Sequence, residues 1–518
     1  MYWIFNLLRN VLAVIGLLGI IAAGAGAYMV LKSTNLPPRV VAQKVLERAG
    51  LESTFLASWA EQDPVRPEDL MLPDLGAKDW SGHGASRENR LQPVILEQGK
   101  YPVPRSWLNT WEVVDYLQQD LGSVVRVGGS SQFLQALRNA EPGDIITLES
   151  GSYRLDERAI SINRPGAAKE PIVVRAEKLG DVVLELNSQE GFLVNAPYWV
   201  FENLEFKGVC NSHSYCEHAF HVVGRGEGFV LRNSRLSDFN AAIKANGIDG
   251  PDGQRIFPDG ALIEDNTFYN TGIRDTNSPT VPLDIVGPDN WIVHGNIIAD
   301  FSKGRGDQIS YAGFIKGNSS HGVFENNMVV CEYSHSGGTR VGLSLGGGGT
   351  SKSASRNRDN SVEHTGGLVR NNVVMNCPDV GLYLNKARET TVLNNTFYRT
   401  MGVDVRFEES TAEIRNNIID GKLRSRDGGI FKESHNLLLS QGGLGGLFKA
   451  DMQDIFADPN RADFTLLDRD SIVDQGTAHD RLRQDFCDNP RSQQPDIGPV
   501  EYGDHSLCNV LDFSVTEQ

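Results

Sequence analysis

Six short apolar segments carry polar residues at matching places: AAIKANG (241–247), VPLDIVG (281–287), AGFIKGN (312–318), VGLSLGG (341–347), VGLYLNK (380–386) and VDVRFEE (403–409). Alternate side chains of a strand face opposite ways. If these segments are strands, Lys244, Asp284, Lys316, Ser344, Tyr383 and Asp404 fall near one outward column. Asn385 and Arg406 fall in a neighbouring column, and Arg340 enters at the start of its strand. A column of Lys and Asp is also what an ordinary solvated face looks like. The same residue types suit proton abstraction beside a carboxylate: a cation neutralises the carboxylate, a base takes the neighbouring proton, and an acid protonates the leaving oxygen. A lysine serves as the base when burial or nearby cations lower its pKa. On this reading Lys316 is the base, Arg340 the carboxylate clamp or acid, and Lys244 and Tyr383 support them. Arg406, Asn385, His321 and His364 are substrate-binding candidates, with Glu363 beside them. Asp284 either holds Ca²⁺ weakly or forms a salt bridge with Lys244 and Lys316. His218 and His221 flank Phe220, and His221 reads as a structural residue.

Hydrolysis of a glycosidic bond would require two carboxylates flanking it. Asp284 and Asp404 align but lie several strands apart, too far at about 4.8 Å per strand. Loop residues Asp307 and Glu363 are the remaining carboxylates that hydrolysis could use. The run Leu345-Gly346-Gly347-Gly348-Gly349 lacks a following Lys-Ser/Thr, so it is no phosphate loop, and it leaves space beside the column.

The elements that position these residues follow from a repeat. An apolar strand, one or two asparagines and a second apolar strand recur around Asn203, Asn233, Asn266, Asn296, Asn327, Asn372, Asn395, Asn417 and Asn436. The steps are 30, 33, 30, 31, 45, 23, 22 and 19 residues. Such periods signal a solenoid. Runs of Val, Ile, Leu and Phe broken by Gly or Asn are strand-and-turn chemistry. Asparagine tolerates left-handed corners, and stacked asparagine amides can hydrogen-bond from coil to coil. The pattern predicts an all-β chain, a right-handed parallel β-helix. A bare coil takes about 22 residues, as the last steps show, so the longer coils between Asn203 and Asn372 must extrude loops. The predicted loops are 208–218, 246–259, 272–281, 301–310 and 347–366, and they wall one groove.

Charge agrees with an anionic ligand. The 518 residues carry a net charge of −17, which argues against nucleic acid as a partner. Residues 301–426 hold 16 Lys+Arg against 12 Asp+Glu, so this stretch is +4 within an acidic chain. The six cysteines, Cys210, Cys216, Cys331, Cys377, Cys487 and Cys508, fall into three neighbouring sets with none left over. Three disulfides in an oxidising compartment are expected, with buried thiols the alternative. No cysteine spacing resembles a zinc site.

Four regions are expected. Residues 1–36 form an N-terminal transmembrane helix or signal sequence, because Val11 to Leu31 is free of charge and long enough to span a bilayer. An uncleaved anchor with the body exported, periplasmic or extracellular, is the favoured reading. Residues 37–124 form a helical and loop spacer, broken by prolines, with Trp80, Trp107 and Trp111 packing on the solenoid. Residues 125–445 form the β-helix. It opens with an amphipathic capping helix from Ser131 to Leu137, with a serine N-cap, followed by Pro142-Gly143-Asp144, Ile145-Ile146-Thr147-Leu148 and Gly151-Ser152-Tyr153. Residues 446–518 close the chain.

These opening motifs and the asparagine repeats resemble the pectin-lyase-like superfamily of right-handed parallel β-helices over residues 126–445. The opening stretch is most similar to the chondroitinase B and alginate lyase group. The tail, with Phe456-Ala457-Asp458-Pro459, Asp463-Phe464-Thr465-Leu466, Ile472-Val473-Asp474-Gln475-Gly476 and Asp496-Ile497-Gly498-Pro499-Val500-Glu501-Tyr502, is similar to the end of exported bacterial β-helix proteins. The lyase group's Lys and Arg motifs do not map residue by residue, and the Asp-Pro-His-Asp signature of mannuronan epimerases is missing. Gly82-His83-Gly84 echoes a polygalacturonase motif but lies outside the coils. The resemblance is specific for the fold; taken with the Lys and Arg column and the basic stretch, the leading expectation is an exported polysaccharide lyase acting on an acidic, uronic-acid polysaccharide by β-elimination, with Ca²⁺ a candidate cofactor. The alternatives are a non-catalytic, membrane-anchored polysaccharide-binding or structural β-helix, and a C5 epimerase. Fold alone does not choose among them.

Overall fold

A computed structural model describes residues 124–439 and 451–503, apart from 177–179, 252, 348, 468–469 and 488, and the backbone of two short strands nearer the N-terminus. Three parallel sheets of 12, 11 and 10 strands run the length of the described solenoid. Each full coil gives one strand to each sheet. In the coil from 262 to 286 these are Leu262–Glu264 in the first sheet, Thr267–Tyr269 in the second and Leu283–Val286 in the third. Beyond the first coil, consecutive strands of these three sheets do not pair with one another. Each pairs with its equivalent one coil away, as Leu262–Glu264 does with Val230–Arg232 and Ile292–His294. The expected parallel β-helix is therefore the architecture.

The corner between the first two sheets explains the asparagines. From Asn266 onward, each side-chain amide donates to the next one along: Asn266 to Asn296 at 3.1 Å, Asn296 to Asn327 at 3.0 Å, Asn327 to Asn372 at 2.9 Å, and so on through Asn395 and Asn417 to Asn436. The residue before each ladder asparagine takes the left-handed conformation, including Asp265, Asn326, Asn371, Asn394 and Asn416. Asn203 and Asn233 do not belong to the ladder. They pair in register with the left-handed position, one residue earlier than expected, and have positive φ themselves. Ser234 takes the ladder place in that coil: its amide donates to Asn266 Oδ1 at 3.0 Å. Two physically different demands, a left-handed corner and an amide ladder, both select asparagine, and the sequence pattern merged them.

The interior is apolar throughout. Phe192, Phe201, Phe206, Phe220 and Phe229 form one aromatic cluster in the coils nearest the capping helix. Ile, Val and Leu stacks continue beyond it. The helix Ser130–Asn139 lies over the first coil through buried Phe133 and Leu137. Its N-cap is Gly129 rather than a serine, and the Gln132 side chain accepts from the Gly128 amide instead.

Residues 451–503 pack along the flank of the coils. Asn371, Asn394 and Asn416 donate to the carbonyls of Gln484, Asp496 and Thr477 at 2.8, 2.8 and 2.9 Å. The left-handed corners of these coils thus anchor the C-terminal segment as a strap. Within the expected 37–124 spacer, Val94–Leu96 and Val113–Asp115 form an antiparallel pair, so the spacer is not solely helix and loop. The apolar segment 11–31 and Trp80, Trp107 and Trp111 lie outside the described residues. No helix among the described residues is long and apolar enough to cross a membrane. Cys210–Cys216 and Cys331–Cys377 are disulfides, and Cys487 is disulfide-bonded. Cys508 lies outside the described residues.

Candidate functional site

Alternation along the third sheet sets the site. Ile243, Ala245, Leu283, Ile285, Ile315, Leu343 and Leu345 point into the core, so their sequence neighbours face outward. Register then gives one outward row: His221, Lys244, Asp284, Phe314, Ser344, Tyr383, Asp404 and Arg424. A second row, two residues further along each strand, contains Asn246, Val286, Lys316, Asn385 and Arg406. Lys316 thus sits in the row of Asn385 and Arg406, and Phe314 takes the place beside Asp284 that alignment by sequence gives to Lys316.

Loops flank these rows on both sides. The segments leading into third-sheet strands are 209–219, 270–282, 300–308 and 331–338, and those leaving them are 247–261 and 347–363. The Cys210–Cys216 disulfide ties the first of these loops just before His218. On the opposite side Arg356 reaches back from 347–363, donating to the Gly287 carbonyl at 2.7 Å, pairing with Asp259 and Asp289, and lying 4.5 Å over the Phe257 ring. Burial raises the carboxyls of Asp259, to about 6, and of Asp289 against the opposing charge of Arg356.

Within this frame Lys244 Nζ lies 2.8 Å from Asp284 Oδ2. Asp284 is 5% exposed, and its other oxygen has no hydrogen-bond partner among the described residues. Lys316 Nζ lies 4.1 Å from the centre of the Phe314 ring. Burial lowers the pKa of Lys316; Asp284 opposes the shift, Lys244 adds to it and Glu363 opposes it. A Cβ at Gly347 would come 3.1 Å from Lys316 Cδ, so the glycine run leaves the room that the lysine stem fills. Buried Glu363 accepts from the Gly317 amide at 2.8 Å, just past Lys316.

At the other side of Lys244 lies a group centred on histidine. His221 Nδ1 is 2.6 Å from Glu190 Oε2, and its Nε2 is 2.7 Å from Asn246 Oδ1. The Asn246 amide nitrogen donates to the Gly247 carbonyl at 3.1 Å, which fixes which atom faces the ring. His218 Nδ1 donates to the Ala241 carbonyl at 3.0 Å. Burial, then the neighbouring His221, lowers its pKa to about 4.

No family model and no curated protein matches the sequence. Solved structures do match the chain. The pectate lyase Pel9A is 16% identical with a TM-score of 0.50, covering 74% of this chain and 98% of its own. A rhamnogalacturonan lyase is 12% identical with a TM-score of 0.40, covering 64% and 90%. A PL6 family polysaccharide lyase from Pseudopedobacter saltans is 15% identical with a TM-score of 0.32, covering 62% and 94%. The fold is a parallel β-helix, as in that pectate lyase. At these identities the likeness speaks to the fold, and the residues must speak for chemistry.

In this β-helical frame the expected site residues divide. Lys244, Asp284 and Lys316 come together. Asp284 pairs with Lys244 and acts electrostatically on Lys316, so its partners are cationic side chains rather than the oxygen ligands that Ca²⁺ takes. Arg340 is fully buried. Its guanidinium donates to the carbonyls of Cys331 and Gly337 and is influenced by Glu332 and Asp300. It stands six residues before Gly346, whose strand end matches Lys316, hence ~20 Å away along the strand. It therefore cannot clamp a carboxylate at Lys316, and its work is to hold the 331–338 turn. His364 is fully buried, with Nδ1 donating to Ser319 Oγ at 2.8 Å and Nε2 accepting from the Gly322 amide at 3.2 Å. Burial lowers its pKa to about 3, so it is a neutral structural group rather than a substrate ligand. His321 sits at a left-handed corner between Ser319–Ser320 and Val323–Glu325, off the third sheet. Tyr383 and Arg406 form their own pair, Arg406 Nη1 donating to the Tyr383 hydroxyl at 2.9 Å, with Asp427 also engaging Arg406. Asn385 is buried in the same row. Sequence reasoning passed over Glu190 and treated His221 as structural. The available signal was His218 and His221 three residues apart, with Glu190 one 31-residue coil before His221.

Proposed function

We propose that the chain is a polysaccharide lyase that cleaves an acidic, uronic-acid polysaccharide by β-elimination at the third-sheet face. The observation that carries this is Lys316: an outward-facing lysine between loop walls, packed on Phe314, with its pKa lowered by burial and by Lys244. A lysine in that state is neutral at lower pH than usual and accepts a proton. In the reaction Lys316 takes the proton from the carbon beside the substrate carboxylate. The electron pair forms the ring double bond, and the bond to the glycosidic oxygen breaks. The leaving oxygen takes a proton, which the Lys316 ammonium can return. Lys244, held by Asp284, supplies positive charge near the substrate carboxylate. Tyr383, braced by Arg406, lies further along the same row and suits a neighbouring sugar.

The two described disulfides support export of the body to an oxidising compartment. The apolar N-terminal segment is the proposed anchor. The experiment is to incubate the purified protein with a panel of uronic-acid polysaccharides and follow the ultraviolet absorbance of the unsaturated product. Absorbance should rise with one of them and fail to rise with Lys316→Ala. Binding to a polysaccharide without any rise sinks the lyase and leaves a binding module.

A further inference from the structure

Among the described residues, Glu190, His218 and His221 are the one group of three metal-ligating side chains whose ligand atoms all lie within 4.8 Å of one another. They come from two adjacent coils. Glu190 precedes the strand Phe192–Val194, and that strand pairs with Phe220–Val223, which carries His221. All three are partly exposed on the outward side, so a cation placed among them would keep a coordination position open to solvent.

The arrangement is prepared in a way that a chance cluster is not. His218 donates Nδ1–H to the Ala241 carbonyl, which leaves the Nε2 lone pair for a ligand. Backbone or carboxylate bonding to one imidazole nitrogen is how metal-ligating histidines are oriented. The disulfide Cys210–Cys216 and the bond from Ser278 Oγ to Glu217 at 2.7 Å fix the loop that delivers His218. His221 already faces a carboxylate through Nδ1. Two histidines and one glutamate, with a position left open, are a ligand set used by catalytic zinc sites. Nitrogen donors favour a zinc-class ion over Ca²⁺ or Mg²⁺. Ligand atoms on a tetrahedral zinc ion stand about 3.3 Å apart, so the pair at 2.6 Å has to open slightly.

We infer that Glu190, His218 and His221 form a binding site for a divalent transition-metal ion of the zinc class. Its role rests on the lyase reading: the ion lies at the His221 end of the row His221, Lys244, Asp284 and takes the substrate carboxylate, the place that buried Arg340 cannot fill.

The test is metal binding by the full chain, purified, stripped with a chelator and titrated with Zn²⁺ by calorimetry, with Co²⁺ absorption as a second readout. One equivalent should bind, with Ca²⁺ failing to compete, and binding should be lost in His218→Ala and His221→Ala. Lys244→Met supplies a variant that misfolding cannot mimic: removing the nearby ammonium should tighten Zn²⁺ binding, by about tenfold. No stoichiometric binding, or binding unchanged in both histidine variants, overturns the site. Stoichiometric binding by a chain that eliminates no polysaccharide keeps the site and sinks the lyase. Elimination by a chain that binds no Zn²⁺ does the reverse.

Discussion

Lys244 and Asp284 face each other across adjacent strands of the third sheet, Nζ to Oδ2 at 2.8 Å, with the carboxylate almost completely buried. The pair does more than hold two strands together, because the charge of Asp284 raises the pKa of Lys316 while Lys244 lowers it. Asp284→Asn removes the one contribution in that triad that favours protonated Lys316. The acidic limb of the elimination rate should therefore move to lower pH in this variant. Stability should fall by about 1–3 kcal/mol, because Lys244 loses its partner in a half-buried place. A pH–rate profile beside a thermal unfolding curve reads both. A limb that stays in place or moves upward separates Asp284 from Lys316.

The Lys316 amine must be neutral to act, so the rate should rise with pH through a pKa below that of an ordinary lysine. Lys316→Ala should lower kcat by on the order of 10²–10⁴-fold. Lys316→Arg should be equally inactive although it keeps the charge, since a guanidinium stays protonated. Retained activity in the arginine variant would reassign Lys316 from base to binding cation.

Much of this architecture is legible in the sequence because a solenoid repeats its local rules. Asn266, Asn296, Asn327 and Asn372 announce the ladder, and the long steps between them announce loops. The register of the first coils is harder to read, since Asn203 and Asn233 satisfy a corner rather than the ladder. The site is legible only where strand alternation alone decides direction, as at Lys244 and Asp284. Arg340 misleads because its strand, Thr339–Gly346, starts beside a turn whose carbonyls draw the guanidinium inward. Glu190 escapes notice because its partner His221 stands 31 residues away, so the two meet only once the coils are stacked in register.

His364 predicts a pH dependence of stability. Its folded pKa of about 3 lies below the ordinary 6.5, so below 6.5 the unfolded chain binds a proton that the folded chain resists. The stabilisation is complete above the ordinary histidine pKa and is lost as pH falls towards the folded value. The slope from this one group is at most about 1.4 kcal/mol per pH unit. His364→Gln, which keeps a donor and an acceptor, should flatten the acid side of the stability curve. Urea unfolding at several pH values across that window checks it, and an unchanged slope would place the acid sensitivity elsewhere.

Asn395 carries the last prediction. Its oxygen accepts from the Asn372 amide and side chain, both at 2.9 Å, and its nitrogen donates to Val369, Leu393 and Asn417. All of this lies in the fully buried corner. Asn395→Ala strands the Asn372 N–H and two carbonyls away from water and should cost about 3 kcal/mol. Asn203 looks equivalent in the sequence, but among the described residues its side chain makes a 2.6 Å bond from Asn233 and a long 3.4 Å bond to the Ala176 carbonyl. Asn203→Ala should cost less, about 1–2 kcal/mol, chiefly for the left-handed corner. The two midpoints in urea, measured side by side, separate the ladder from the corner. Equal losses would mean that the amide stack adds nothing beyond the turn it accompanies.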